Sequence, residues 1–228
     1  MALILCIETS TTSCSVALAK NGKVIALREN NNGMNHSVLT APYIDEVLKE
    51  HNITTQELDA VAVSMGPGSY TGLRIGVSLA KGICYGAKIP LISIPTLLAL
   101  TIQAMAQTND SNALYIPMID ARRMEVYSAI CKANGEQLTE TKAVIVDPDF
   151  YKEHVDKNRV YLFGNGSAKT KEILTSPNIS FIDNIEASAS GCAPIAEEKF
   201  NRSEFEDVAY FEPFYLKDFI ATTPKKRL

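Results

Sequence analysis

Apolar and polar positions alternate along this chain in blocks that predict a mixed α/β fold. Residues 2–7 are an apolar run, read as a buried strand, and the polar turn Glu8-Thr9-Ser10-Thr11-Thr12-Ser13 ends it. Two strand-like runs, 14–20 and 23–29, flank Asn21-Gly22, the dipeptide that best supplies the left-handed backbone of a tight hairpin turn. A helix is expected over about 38–50, where Leu39, Tyr43 and Val47 recur four apart; Pro42 must then sit in its first turn or kink it. Residues 60–65 read as a second buried strand, which runs into Gly66-Pro67-Gly68-Ser69 and a helix reaching about Tyr85.

The second half repeats this plan. A strand at 115–119 meets the polar turn Asp120-Ala121-Arg122-Arg123, and a strand at 124–132 leads to Asn134-Gly135. A helical stretch near 148–156, a strand at 160–163, the loop Gly164-Asn165-Gly166-Ser167 and a further helix complete the copy. The duplicated strand–strand–strand–helix–strand–helix order predicts the two-lobed α/β architecture of the actin, Hsp70 and sugar-kinase superfamily (the ASKHA fold). The boundary is placed near residue 105, before the polar stretch 107–112. Residues 1–105 with 208–228 form the first lobe, and 106–207 the second.

Composition narrows the function. A chain that is 46% hydrophobic and 21% charged can bury a core. Its 22 basic against 26 acidic residues give a net charge of −4, against a nucleic-acid binder working alone. The one basic run, Lys225-Lys226-Arg227, reads as a solvated end. Cys6, Cys14, Cys84, Cys131 and Cys192 are scattered without a C-x-x-C pair, which suggests reduced thiols that pack. The start carries no basic leader and is too short for a signal or membrane span, so a cytoplasmic protein is expected. His36, His51 and His154 share no metal-ligand spacing and read as surface or helix-end residues.

The loops carry the candidate chemistry. The turn at 8–13 has the hydroxyls of a phosphate cradle but Thr9 where glycine would let a phosphate approach. Thr9 and Ser10, with Gly164 and Gly166, are therefore candidates for a vestigial nucleotide site or for plain structure. The loop at 66–69 could bind an anion at a helix N-terminus or simply make a tight turn. Neither a P-loop nor a G-x-S-x-G elbow is present. The helix after it is apolar or small nearly all round, and Gly72, Gly76 and Ala80 form a flat stripe along which another helix could pack closely. One face must cover the chain's own sheet; a partner protein is the natural cover for another.

Specific segments then point to a family. Gly66-Pro67-Gly68-Ser69-Tyr70-Thr71-Gly72-Leu73-Arg74-Ile75-Gly76-Val77 resembles the hallmark GPGS[FY]TGLRIGV of the TsaB family. Leu5 to Ser10 resembles that family's opening, Asp120 to Tyr127 its DARR-x-EVY segment, and Pro213 to Lys217 its closing P-x-YLR, with Lys217 in the arginine's place. The resemblance implies an actin-like fold and a non-catalytic subunit that binds a TsaD-like catalytic paralogue and a TsaE-like ATPase. It implies contact with tRNA only through that complex, which modifies adenosine 37. Thr96 and Leu100 stand where the paralogue's two metal-binding histidines would be, so no metal, cofactor or catalytic residue is expected. Helices 38–50 and 70–85 are expected to form the partner surface through Leu39, Tyr43, Val47, Leu73, Val77 and Lys81, and to self-pair as a homodimer when the partner is absent. The competing readings are a stand-alone actin-fold kinase, for which Glu8 and Asp120 are the available carboxylates, and a metallopeptidase, which needs a metal site.

Overall fold

A computed structural model describes residues 2–33 and 35–217; the basic run at 225–227 and the end of the segment assigned to the first lobe lie outside them. The strands are β1 (Leu3–Glu8), β2 (Cys14–Lys20), β3 (Lys23–Asn30), β4 (Ala60–Gly66), β5 (Leu91–Pro95), β6 (Leu114–Asp120), β7 (Glu125–Ser128), β8 (Cys131–Lys132), β9 (Lys142–Ile145), β10 (Val160–Phe163) and β11 (Ile179–Ile182). The helices are α1 (His36–Glu50), α2 (Tyr70–Ala87), α3 (Thr96–Thr108), α4 (Lys152–Val155) and α5 (Ala189–Asn201).

Among the described residues the strands form two sheets of matching order, β3-β2-β1-β4-β5 and β9-β7-β6-β10-β11, with β8 also beside β6. In each the central strand pairs antiparallel with the hairpin strand after it and parallel with the strand that follows the next crossover. The expected duplication is thus present at the level of topology, and the fold is the two-lobed actin-like one. The hairpin turn has the left-handed backbone its sequence predicts, with φ 53° at Asn21 and 71° at Gly22.

Strand alternation sorts the first core into two layers. Leu5, Ile7, Val16, Leu18, Val61 and Val63 face α1 and α2, where Ile44, Val47, Leu48, Val77, Ala80 and Cys84 meet them. Ile4, Cys6, Ala17, Ala19, Ala60 and Ala62 face the other way, against Ala189, Cys192, Ala193 and Ala196 of α5. Small residues on both sides let α5 lie close to the sheet. Residues 189–201 therefore belong with the first sheet, although the sequence assigns them to the second lobe; β-strand patterning says nothing about which sheet a later helix covers. Helix α3 lies between the lobes: Ala99 packs in the first core, Leu97, Leu100 and Ala104 in the second.

The second lobe is reduced. The helix expected near 148–156 is the short α4, and the one expected after Ser167 is a single 3-10 turn at Ala168–Thr170. The expected strand 124–132 is split into β7 and β8, and at Asn134-Gly135 Gly135 alone has positive φ. Pro42 falls in the second turn of α1, not the first, because the helix begins at His36. Pro42 lacks the amide that would bond the Val38 carbonyl one turn back, at a residue that is 67% exposed. All five cysteines are buried and free, and burial pushes the Cys6 thiol up to about 12 and Cys84 to about 11, as inert packing residues. No helix among the described residues is long and apolar enough to cross a membrane.

Candidate functional site

The turn after β1 is closed by its own chain. Thr9 and Ser10 are fully buried, and the Thr9 hydroxyl donates to the Gly72 carbonyl at 2.8 Å. The Ser69 amide donates to the Ser10 carbonyl at 2.6 Å, while the Ser69 hydroxyl accepts from the Gly72 amide as the N-cap of α2. A Cβ on Gly68 would stand 2.2 Å from the Ser10 carbonyl oxygen, one on Gly72 2.0 Å from that of Thr9, and one on Gly76 2.3 Å from the Thr9 hydroxyl. The glycine stripe of α2 thus admits the polar turn rather than a partner helix. The Ser69 and Gly72 amides, two of the donors an anion could use at the start of α2, are already engaged.

Glu8 is buried beneath this turn. Its Oε1 accepts from the Ser10 amide at 2.6 Å and the Ser64 hydroxyl at 2.9 Å, and Oε2 has no partner. Burial raises its carboxyl above the usual range, against the hydrogen bonds and nearby His36 that lower it. His36 begins α1 as a helix-end residue but is buried rather than on the surface, and its Nε2 faces the Ser13 carbonyl at 3.1 Å. A carboxylate so enclosed is poorly placed to meet a substrate.

At the matching turn of the second sheet, Asp120 pairs with Lys169, whose Nζ also donates to the Glu125 carbonyl at 2.7 Å. The Asp120 amide donates to Asn165 Oδ1 at 2.9 Å. Gly164, at φ 94°, would place a Cβ 2.5 Å from the Met118 carbonyl oxygen, and Gly166 one 3.0 Å from the Asp120 amide nitrogen. Both glycines are accounted for by backbone packed against backbone. Thr96 and Leu100 are buried at the start of α3. Among the described residues no three His, Cys, Asp or Glu side chains converge as metal ligands would.

Helices α1 and α2 lie side by side on the outer face of the first sheet, and a groove of about 520 Å³ runs between them. Ala41, Tyr70, Arg74, Ile75, Ser78 and Leu79 are among the residues that line it. The residues nominated from sequence are placed differently. Val47, Leu73 and Val77 are buried within the chain's own core, at 0%, 0% and 4% exposure, so they are not available as contacts. Leu39 and Tyr43 are half-buried, and Tyr43 packs on the core. Lys81 donates to the carbonyls of Ala209 and Phe211, at 3.1 and 2.9 Å.

The physical reason is helix phase. Leu73 and Val77 sit one position beyond Gly72 and Gly76, on the face that the glycines press against Thr9. The outward rows are then Arg74-Ser78 and Ile75-Leu79. Had the glycines been taken as the inward mark, the sequence would have yielded these residues.

A strap leading into the C-terminal segment borders the groove. The Phe214 amide donates to the Met65 carbonyl at 2.7 Å, and Tyr215 accepts from Arg74 Nε at 3.2 Å. The Arg74 guanidinium lies 4.1 Å from the Tyr70 ring centroid and 5.9 Å from that of Tyr215. Lys217 pairs with Glu125 of the second lobe. Three of the sequence segments singled out above therefore meet through one strap.

Known proteins share this plan. The family model described as TsaD: tRNA N6-adenosine threonylcarbamoyltransferase matches residues 30–224. The tRNA threonylcarbamoyladenosine biosynthesis protein TsaB of Escherichia coli (strain K12) is 29% identical over 224 residues, 96% of each chain. That of Bacillus subtilis (strain 168) is 33% identical over 175 residues, 75% of this chain and 74% of its own. A tRNA N6-adenosine threonylcarbamoyltransferase of Bacillus thuringiensis (strain Al Hakam) is 34% identical over 108 residues, but these span 40% of this chain and 32% of that protein. The solved structure of YeaZ from Pseudomonas aeruginosa shares the fold, with a TM-score of 0.81, 24% identity, and coverage of 95% of this chain and 100% of that one. Similarity runs along 96% and 74% of these two TsaB chains and along only a third of the transferase: the chain belongs to the TsaB family of tRNA threonylcarbamoyladenosine biosynthesis proteins.

Proposed function

We propose that this chain is a non-catalytic subunit of a tRNA-modifying assembly and docks through the α1–α2 groove on a TsaD-like catalytic transferase. The observation that carries the reading is the outward face of these two helices. Ile75, Leu79 and Ala41 line an open groove, and Val38 stands 67% exposed on the same helix as Ala41. Apolar groups grouped on a helix pair mark an interaction face more often than chance exposure. The partner is a transferase with related sequence because the two proteins share similarity over 108 residues, so each can offer the other helices of similar spacing. In its absence the same face pairs with a second copy.

The closed turn supports the non-catalytic part. Glu8 is sealed in, the Thr9 hydroxyl is spent on the Gly72 carbonyl of α2, and the Ser10 amide is spent on Glu8. An actin-fold kinase would need that turn open to a phosphate. A TsaE-like ATPase and the tRNA then meet this chain within the assembly, without a cofactor of its own.

Leu79→Glu and Ile75→Glu test the surface. Each places a charge in the seam and leaves the core intact, and each is expected to weaken the transferase complex by about 2 kcal/mol or more, roughly thirtyfold. Binding is read by titration, with circular dichroism confirming the fold. Parental affinity in both folded variants refutes this groove as the docking face. For the non-catalytic part, the modification is expected only when transferase and ATPase are added; product formed at the same rate without this chain refutes the role.

A further inference from the structure

The turn between β6 and β7 holds two arginines that the fold does not explain. Arg122 and Arg123 are consecutive left-handed residues, with φ 72° and 50°. A side chain with a Cβ crowds the following carbonyl there, so glycine and asparagine are the usual occupants. This chain uses that solution elsewhere, placing Asn21 and Gly22 at φ 53° and 71°. Two arginines in the same backbone state are thus not there to make the turn.

Neither is tied to the fold by its guanidinium, although Arg122 is near enough to Tyr127 to act on it electrostatically. Both are exposed, and among the described residues neither guanidinium donates a hydrogen bond or comes within ion-pair distance of a carboxylate. The acids at this turn are already matched, Asp120 by Lys169 and Glu125 by Lys217. The two lysines cancel the two carboxylates and leave the charge of both arginines uncompensated. On a chain of net charge −4 this is a local positive site, held on a turn that the Ala121 and Glu125 backbone hydrogen bonds fix.

We propose that Arg122 and Arg123 form a phosphodiester-binding site, through which this chain touches the RNA backbone within the assembly. The inference rests on the tRNA-modifying reading above, and deepens it by naming where this subunit meets RNA. Guanidinium suits phosphate because its planar fork can present two N–H groups to two oxygens. The overall negative charge explains why the contact needs the complex, since two cations alone give little affinity against the chain's own field.

The test replaces the arginines by what the chain uses in its own hairpin, Arg122→Asn with Arg123→Gly. The double variant is assembled with the transferase and titrated with an unmodified tRNA transcript at several salt concentrations. Losing two phosphate contacts should make the plot of log affinity against log salt shallower by about 1.4–1.8, at 0.7–0.9 per phosphate. Affinity at low salt should fall about tenfold, and the gap should close as salt rises. The melting temperature should hold or rise, because asparagine and glycine suit the backbone better. An unchanged salt slope in an intact complex overturns the proposal. So does a lower melting temperature, which makes the arginines structural, and so does loss of transferase binding with RNA affinity kept, which makes them a protein contact. Failure of the underlying reading is distinguishable: the parent chain itself then forms no complex with the transferase.

Discussion

Replacing Gly72 by alanine adds one methyl group to α2 and sets two effects against each other. Alanine is the better helix former by about 1 kcal/mol. The new Cβ, however, would stand 2.0 Å from the Thr9 carbonyl oxygen and 3.3 Å from its carbon. Both are backbone atoms, so no rotamer change relieves the contact; helix and turn must separate by more than an ångström. That movement strains a close-packed seam, at about 1–3 kcal/mol, and loosens the buried bond from the Thr9 hydroxyl to the Gly72 carbonyl, worth about 1 kcal/mol. Net destabilisation of about 1–3 kcal/mol is expected. Gly82, on the same helix, is the control: nothing lies within 4 Å of its added Cβ, so Gly82→Ala should stabilise by about 1 kcal/mol. Urea unfolding of both variants, with matching slopes, gives the two differences directly. If Gly72→Ala proves as stable as Gly82→Ala, the tight fit of the turn against α2 is wrong, and with it the account of the closed phosphate cradle.

Glu8→Gln should flatten part of the stability–pH profile. Burial raises the folded carboxyl above its unfolded value, so its contribution is full below the ordinary carboxylate range and lost as pH rises through the raised value. The parent should therefore lose stability relative to Glu8→Gln across that window in urea titrations; a gain would show that the carboxylate is stabilised, not penalised. Val77→Ala should cost about 2 kcal/mol from lost burial and the cavity left in the first core, without weakening transferase binding of the folded protein. Binding loss larger than the stability loss would return Val77 to the interface. Lys81→Met removes both hydrogen bonds to the strap, and hydrogen exchange at the Phe214 amide should quicken. Unchanged exchange there would mean that the strap is held without Lys81.

Local patterning determined much of this protein. Runs at 2–7, 14–20, 23–29, 60–65 and 160–163 became β1, β2, β3, β4 and β10, and the repeated order of elements correctly implied two sheets of one topology. Asn21-Gly22 set its turn because left-handed backbone is a property of those residues themselves. The hallmark segment at 66–77 carried the family. Tertiary structure decided the rest, wherever the outcome turned on which neighbour a face meets. Hydrophobic spacing established that α2 is apolar on more than one side, but not that Leu73 and Val77 turn inward. That choice was made by Thr9, which needs the room of Gly72 and Gly76 and so fixes the rotation of α2. Helix α5, broken in sequence by Gly191 and Pro194, was set on the first sheet by the small residues facing it, far away along the chain. On the second sheet the apolar face of Leu114, Ile116, Met118, Val160 and Leu162 is covered by Phe150, Val155 and Leu174 from short elements and loops instead of by long helices. Two arginines in a left-handed turn looked like part of a motif in the sequence; only the backbone angles and the partners taken by the neighbouring lysines left them without an internal reason to be there.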